Sequence, residues 1–267
     1  MLKFTPNILP NGKSCILSHI VFYLLVGSFV MIGQTEIVEK DQVNYWSFDK
    51  GKIKGKTIQD SFGTTDGVIQ GKIASKKGKN GEALEFDGDK SNFVTFPGDV
   101  DFSKDFTWMC WIKTEENGVL FCKTGPAGSD AQGAKTWWIS DKALSFDVGW
   151  VGNFKDQKGQ VADGKWHHVA VTAEGQNGTL QHYVDGEPTG KGTLGLNEKP
   201  EKDIKDVRLN LGQDGRCDGE FGYFTGLSDE FAVYTRLLND AEVQQKLILI
   251  EAWQLSPSIN HRQFGVI

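Results

Sequence analysis

The chain has 267 residues, a formal net charge of -6, 39% hydrophobic and 24% charged side chains. These are the fractions of a globular protein and exclude wholesale disorder. The acidic balance, with lysine and arginine scattered along the chain, argues against a nucleic-acid partner, because phosphate recognition needs a basic face. The 32 glycines beside only 7 prolines, together with 8 tryptophans and 17 phenylalanines, point to tight turns joining aromatic-rich strands.

Residues 1–33 read as an export segment. Lys3 and Lys13 are its only lysines or arginines, an apolar run follows from Cys15 to Gly33, and Glu36, Glu39 and Asp41 come next. Positive before and acidic after places the N-terminus in the cytoplasm and the rest of the chain outside it. Gly33 suits the residue before a cleavage point and Met31 suits the third residue before it poorly, which leaves both a cleaved signal peptide and an uncleaved membrane anchor open. The expected location is secreted or cell-surface in either case, and any membrane contact runs through this segment alone. Residues 34–43 then form a linker.

From Asn44 to Tyr234 the pattern is of short alternating runs ended by glycine, asparagine or aspartate. Tyr45–Asp49 opens the series, and Ala83–Asp87 and Phe93–Phe96 follow. Phe106–Ile112 is the clearest strand, with Phe106, Trp108, Cys110 and Ile112 sharing one face. Val119–Cys122, Thr136–Ile139 and Ala143–Val148 come next. His167–Thr172 and Leu180–Val184, separated by Gly175–Gly178, read as a hairpin, and Asp185-Gly186 is a second turn signal. Val207–Leu211 and Gly226–Tyr234 close the set. Period-two alternation with turn signals at short spacing predicts an all-β, two-layer antiparallel sandwich. No helix-length amphipathic segment separates the strands, which excludes a parallel α/β fold. After the last strand, Asn239 and Glu242 make a capping box, and Val243, Leu247 and Ile250 fall at helical spacing, so a short C-terminal helix is expected against the sandwich. The tail from Ser256 has no periodicity.

Beyond the export segment three cysteines remain, Cys110, Cys122 and Cys217. Cys110 and Cys122 flank a turn signal at Glu115–Gly118 and would lie on neighbouring strands, where an oxidising compartment allows a disulfide. The odd count leaves one thiol over, and Cys110 as a small buried hydrophobe is the competing reading. His167 and His168 are adjacent and point to opposite faces of a strand, so the pair does not make a joint metal site. Asn177-Gly178-Thr179 is a glycosylation sequon on a predicted hairpin loop.

Seven segments in order, YWSFD (45–49), DSFGTTDG (60–67), GEALEFDG (81–88), FTWMCWIKT (106–114), GKWHHVAVT (164–172), YVDGE (183–187) and GLSDEFAVYTRLLNDAEV (226–243), resemble the laminin-G-like jelly-roll domain of the concanavalin A-like lectin and glucanase superfamily. The resemblance covers residues 44–243, leaving 244–267 as helix end and tail. It implies a jelly roll whose first and last strands lie side by side, acting as a non-catalytic module for glycans or extracellular proteins, often with calcium.

Three chemistries follow from the residues. Calcium wants several oxygens from carboxylates and carbonyls on turns; with the terminal strands adjacent, Asp49, Asp60, Asp66 and Asp229 are the expected ligands, although aspartates in such turns also serve as caps. Sugar stacking wants an exposed aromatic beside hydrogen-bonding side chains; Trp137, Trp138 and Trp150, with Asn153, are the candidates, and consecutive Trp137 and Trp138 cannot both face the core. Trp111, opposite in face to Trp108, and nearby Asp147 and Gln132 belong to the same reading. Catalysis in the manner of a glucanase needs carboxylates alternating along a strand, which Glu85, Asp87 and Asp89 offer only in outline, since Gly88 already turns the chain. The leading expectation is an exported, non-enzymatic module recognising carbohydrate or a surface glycoprotein. The alternatives are a structural or adhesive protein acting through protein contacts and, less favoured, a glycoside hydrolase.

Overall fold

The computed structural model describes residues 42–97, 101–125, 132–196, 208–214 and 221–255. The export segment, nearly all of the linker, Cys217 and the tail from Ser256 lie outside the described residues. The strands are β1 (Gln42–Trp46), β2 (Ile53–Lys54), β3 (Thr57–Ile58), β4 (Gly67–Ile69), β5 (Ala74–Lys77), β6 (Glu82–Asp87), β7 (Val94–Phe96), β8 (Phe106–Lys113) and β9 (Gly118–Thr124). They continue as β10 (Lys135–Ser140), β11 (Ala143–Val148), β12 (Gly152–Gln160), β13 (Trp166–Glu174), β14 (Thr179–Val184), β15 (Glu187–Thr193), β16 (Arg208–Leu211) and β17 (Thr225–Tyr234), before a helix α1 (Asp240–Leu255).

Two antiparallel sheets form a jelly-roll sandwich. The first runs β15-β14-β13-β8-β17-β6-β5, with β1 also paired to β17; the second runs β12-β11-β10-β9-β16-β7-β4-β3-β2. The first and last strands are therefore neighbours, with Tyr45 opposite Ala232 and Trp46 opposite Phe231. Alternation puts one set of side chains between the sheets. Trp46 packs on Phe96 at 4.1 Å and on Phe231 at 5.5 Å, Phe231 on Phe121 at 4.7 Å, and Phe121 edge-on to Trp108 at 4.7 Å. Each such pair adds about 0.5–1.5 kcal/mol beyond burial of its area, so this chain of rings, which crosses from one sheet to the other, is the mechanical centre of the domain.

The outer face of the first sheet carries a second apolar layer of Tyr45, Met109, Ala170, Tyr183, Ala232 and Tyr234, closed by Leu238 and Val243. Helix α1 reaches it through the capping box read from the sequence: Glu242 N–H donates to Asn239 Oδ1 at 3.0 Å, and Asn239 N–H donates to Glu242 Oε2 at 3.0 Å. Tyr183 Oη donates to Asp240 Oδ1 at 2.7 Å, tying the helix start to β14. Gly186 lies so close to Gln244 that an added Cβ would sit 3.3 Å from Gln244 Cα.

The cysteine expectation is corrected. The turn after β8 carries the chain across to the other sheet, so Cys110 on β8 and Cys122 on β9 are not neighbours and no disulfide joins them. Cys110 belongs to the core between the sheets, and burial pushes its thiol well above the ordinary range. Cys122 points to the opposite side of β9, where its Sγ donates to the Gln213 carbonyl at 3.1 Å.

Candidate functional site

The outer face of the nine-stranded sheet carries a row of polar positions set by register. Thr95 stands opposite Asn210, Asn210 opposite Cys122, Cys122 opposite Thr136, Thr136 opposite Asp147, and Asp147 opposite Asn153. The next row pairs Trp138 with Ser145. Asn210, Thr136 and Ser145 are buried, and Asn210 Oδ1 and Ser145 Oγ have no hydrogen-bond partner. Towards β12 the row rises to the surface: Asp147 is half-buried and Asn153 exposed.

Trp150 stands at that end. It forms the tip of the β11–β12 hairpin, closed by Val151 N–H donating to the Val148 carbonyl at 2.9 Å. Trp150 is 78% exposed and adopts φ +67°, and Val151 beside it is also exposed. A left-handed backbone at a bulky residue carries about 1–3 kcal/mol of strain, with no burial of the indole to offset it. The other two indoles behave differently. Trp137 lies wholly inside the core, in contact with no solvent, and so offers no face to a ligand. Trp138 points outward but is covered by Phe221, ring centroids 4.6 Å apart. Of the four expected ligand-binding residues, Trp150 and Asn153 share an exposed end of one hairpin, Trp138 lies deeper on the same sheet face, and Trp137 lies on the other side. Trp111 is likewise buried, on the outer face of the first sheet, between the Lys79 ammonium at 4.2 Å and the His168 ring at 5.4 Å.

The four expected metal ligands divide into two pairs. Asp60 Oδ1 accepts from the backbone N–H groups of Tyr45, Phe62 and Gly63 at 3.0–3.1 Å, and Oδ2 from Asn44 Nδ2 at 2.6 Å and Thr65 N–H at 3.2 Å. Asp66 Oδ1 in turn accepts the Asp60 N–H at 2.9 Å. This pair organises the 61–66 loop, and Trp46 Nε1 donates to the Thr65 carbonyl at 3.0 Å. With five donors already on Asp60, this is not a vacant cation seat.

Asp49 and Asp229 form the second pair, under the turn between β5 and β6. Asp229 is wholly buried; its Oδ2 accepts Asn80 N–H at 3.0 Å, while Oδ1 has no donor. Burial, with the Asp49 charge adding to it, pushes the Asp229 carboxyl up to about 8. Asp49 Oδ1 accepts Glu82 N–H at 3.1 Å, and Gly81, at φ +58°, lies too close to that oxygen for any side chain. A Cβ on Gly78 would sit 2.5 Å from Asp229 Oδ2.

Sequence reasoning missed Glu230. The ladder between β17 and β8 slips between Asp229 and Ala232, Glu230 takes φ +54°, and both adjacent acids end up buried. Glu230 accepts from the Tyr45 hydroxyl and from Asn80 Nδ2 at 3.1 Å, and burial raises its carboxyl too. Among the described residues no three or more His, Cys, Asp or Glu side chains converge as a metal-binding group. The acids considered for hydrolysis are engaged otherwise: Glu85 pairs with Lys76 at 3.4 Å, Asp87 Oδ1 and Oδ2 accept from Asn92 Nδ2 at 3.0 Å, and Asp89 Oδ1 accepts Ser91 N–H at 2.7 Å.

Comparison with solved structures finds jelly-roll domains at low identity. Domain 4 of AbnA, a GH43 extracellular arabinanase from Geobacillus stearothermophilus, in complex with arabinotriose, is 20% identical with a TM-score of 0.57, covering 78% of this chain and 98% of that one. The binding domain of Paraclostridial Mosquitocidal Protein 1 is 14% identical, TM-score 0.57, over 81% of this chain and 53% of that one. Trypanosoma rangeli sialidase is 14% identical, TM-score 0.57, over 92% and 40%. The chain thus spans about half of the mosquitocidal binding domain and less than half of the sialidase, and these likenesses speak to fold alone. A comparison with curated proteins found no match. Residues 87–244, more than half of the chain, match the laminin-G-like family model described as the concanavalin A-like lectin/glucanases superfamily, and the chain belongs to that family.

Proposed function

We propose that this chain is a non-catalytic binding module for carbohydrate or a surface glycoprotein, exported from the cytoplasm, with its ligand seated at the β11–β12 hairpin. The observation that carries the reading is Trp150: an indole 78% exposed, held in a strained conformation, at the surfacing end of a polar row that includes Asn153 and Asp147. A sugar ring presents a C–H face that packs on such a ring and hydroxyls that suit an amide and a carboxylate alongside. The neighbours support it in kind: one is an arabinanase domain in complex with arabinotriose, another a toxin binding domain. For export, the support is the charge pattern around the apolar run at residues 15–33.

Calcium belongs to the proposal through Asp49 and Asp229. A buried carboxylate with an oxygen lacking any donor and a second carboxylate close enough to raise it fit a hard divalent cation. The rest of the shell would come from main-chain oxygens and water, and the bound ion would neutralise Asp229 and fix the β5–β6 turn against β17.

Binding to a glycan and glycoprotein array, with and without chelator, tests the reading. Wild type is expected to bind, and Trp150→Ala to bind at least about tenfold more weakly with an unchanged melting temperature. Binding to no glycan or glycoprotein, or equal binding by Trp150→Ala, would overturn it. Binding to protein alone, abolished by Val151→Ser as well as by Trp150→Ala, would favour the adhesive alternative, since Val151 extends the exposed apolar tip.

A further inference from the structure

His167 sits between two carboxylates. Its Nδ1 lies 2.8 Å from Asp185 Oδ2 and its Nε2 lies 3.1 Å from Asp163 Oδ1. A carboxylate only accepts, and a neutral imidazole has one N–H, so both contacts are hydrogen bonds only when the ring carries two protons. The other oxygens are spoken for. Asp163 Oδ2 pairs with Lys165 Nζ at 2.6 Å, and Asp185 Oδ1 accepts His168 N–H at 3.0 Å. Ile112, opposite His167 on β8, is uncharged.

The position of Asp185 gives this arrangement reach. Asp185 holds φ +52° in the β14–β15 turn, and its N–H donates to the His168 carbonyl at 2.8 Å. The next residue, Gly186, is packed against Gln244 and Leu247 of α1, and Gln244 Nε2 donates to Glu187 Oε1 at 3.4 Å. One imidazolium therefore joins the entry to β13, through Asp163, to the turn on which the helix rests.

We propose that His167 is a pH-operated latch, closed when doubly protonated and open when neutral, that controls how firmly the β14–β15 turn and the first turns of α1 are seated. The Asp185 hydrogen bond is the largest influence raising the His167 titration above its ordinary value; burial opposes it and Asp163 adds to it. Asp185, although burial pushes it up, is held below the usual carboxylate range by His167, and Asp163 is held low first by Lys165 and then by His167. A histidine raised in the folded state contributes stability that is complete below about pH 6.5 and is lost as pH rises through the folded value. The latch opens on the alkaline side.

The test is an NMR titration of the histidine rings on the full chain, with amide hydrogen exchange followed at pH 6 and pH 9. His167 is expected to titrate above about 6.5, and the protection factors at residues 184–187 and 240–247, corrected for the intrinsic base-catalysed rate, to fall once it is neutral. Asp185→Asn keeps a residue tolerant of the left-handed turn and removes one anion, so its His167 titration should drop below that of wild type. His167→Gln should show at pH 6 the protection factors that wild type shows at pH 9. A His167 titration at or below about 6.5, or protection factors at those residues indifferent to both pH and His167→Gln, would overturn the proposal.

Discussion

Asp60 and Asp229 are both buried carboxylates, each beside the paired terminal strands, and their surroundings are opposite. Asp60 takes five donors, three of them backbone N–H groups of a loop it holds in shape. Asp229 is wholly buried with one oxygen lacking a donor and the like charge of Asp49 nearby. Burial is unfavourable for a charge in both places; five donors offset it at Asp60, whereas at Asp229 one oxygen accepts the Asn80 N–H and the other is left bare. A saturated carboxylate is a structural rivet. A starved one is a place where the ionised side chain works against folding, so that a proton there stabilises the fold.

The sharpest way to break this contrast is to remove each acid in turn. Asp60→Ala strands five donors and unties the 61–66 loop from β1, and about 3–5 kcal/mol of stability should be lost in urea unfolding. Asp229→Asn should do the reverse in metal-free protein at pH 8, where it removes an uncompensated charge and raises stability by about 2 kcal/mol. The sign with pH follows from a folded titration raised to about 8: the contribution is present below the unfolded carboxylate value near 4 and lost as pH climbs through 8. Wild type without metal should therefore weaken from pH 4 to pH 8 by more than Asp229→Asn does. Added calcium should restore wild type at pH 8 and leave the variant unmoved. Calcium-stabilised Asp229→Asn would end the distinction between the two sites.

His182 tests whether the same logic holds for a base. It is wholly buried on β14, stacked on Phe154 at 5.3 Å, with neither ring nitrogen hydrogen-bonded, and burial lowers its titration to about 4. Here the unfolded chain takes the proton first, so stability falls as pH drops from about 6.5 to 4, the direction opposite to Asp229. His182→Leu should flatten that acid limb by about 3 kcal/mol in pH-dependent unfolding. His168, lowered to about 4 mainly by burial, contributes in the same sense and should keep a residual slope in the variant.

These contrasts also mark what the sequence disclosed. The strands were legible because inward and outward residues alternate: Phe106, Trp108, Cys110 and Ile112 face the core together, as the pattern of 106–112 indicates. The capping box of α1 was legible because Asn239 and Glu242 act locally. The grouping of the aspartates was not. It depends on where the 61–66 loop and the β5–β6 turn fall relative to the terminal strands, which local spacing does not encode. The β-bulge that buries Asp229 and Glu230 side by side breaks the period of two and hides both from a pattern that assigns adjacent residues to opposite faces. The Cys110–Cys122 expectation failed for a similar reason: a turn signal does not say whether the next strand continues the sheet or crosses to the other one. Trp137 and Trp138 were rightly separated by alternation, but which of them faced inward was fixed by their pairing with β9 and β11.

The smallest effect on stability is expected at Trp150, and that smallness is the informative part. Asp60 and Asp229 change folding because they are buried; an indole 78% exposed has little burial to lose. Its φ of +67° is one that glycine adopts without strain, so Trp150→Gly should melt within about 0.5 kcal/mol of wild type or slightly above it by calorimetry. A drop of several kcal/mol would mean that the ring packs on something in solution and belongs to the fold. Unchanged melting with weakened glycan binding would mean that the strain at the hairpin tip serves contact with a ligand, because folding alone gives no reason to hold a tryptophan in a conformation suited to glycine.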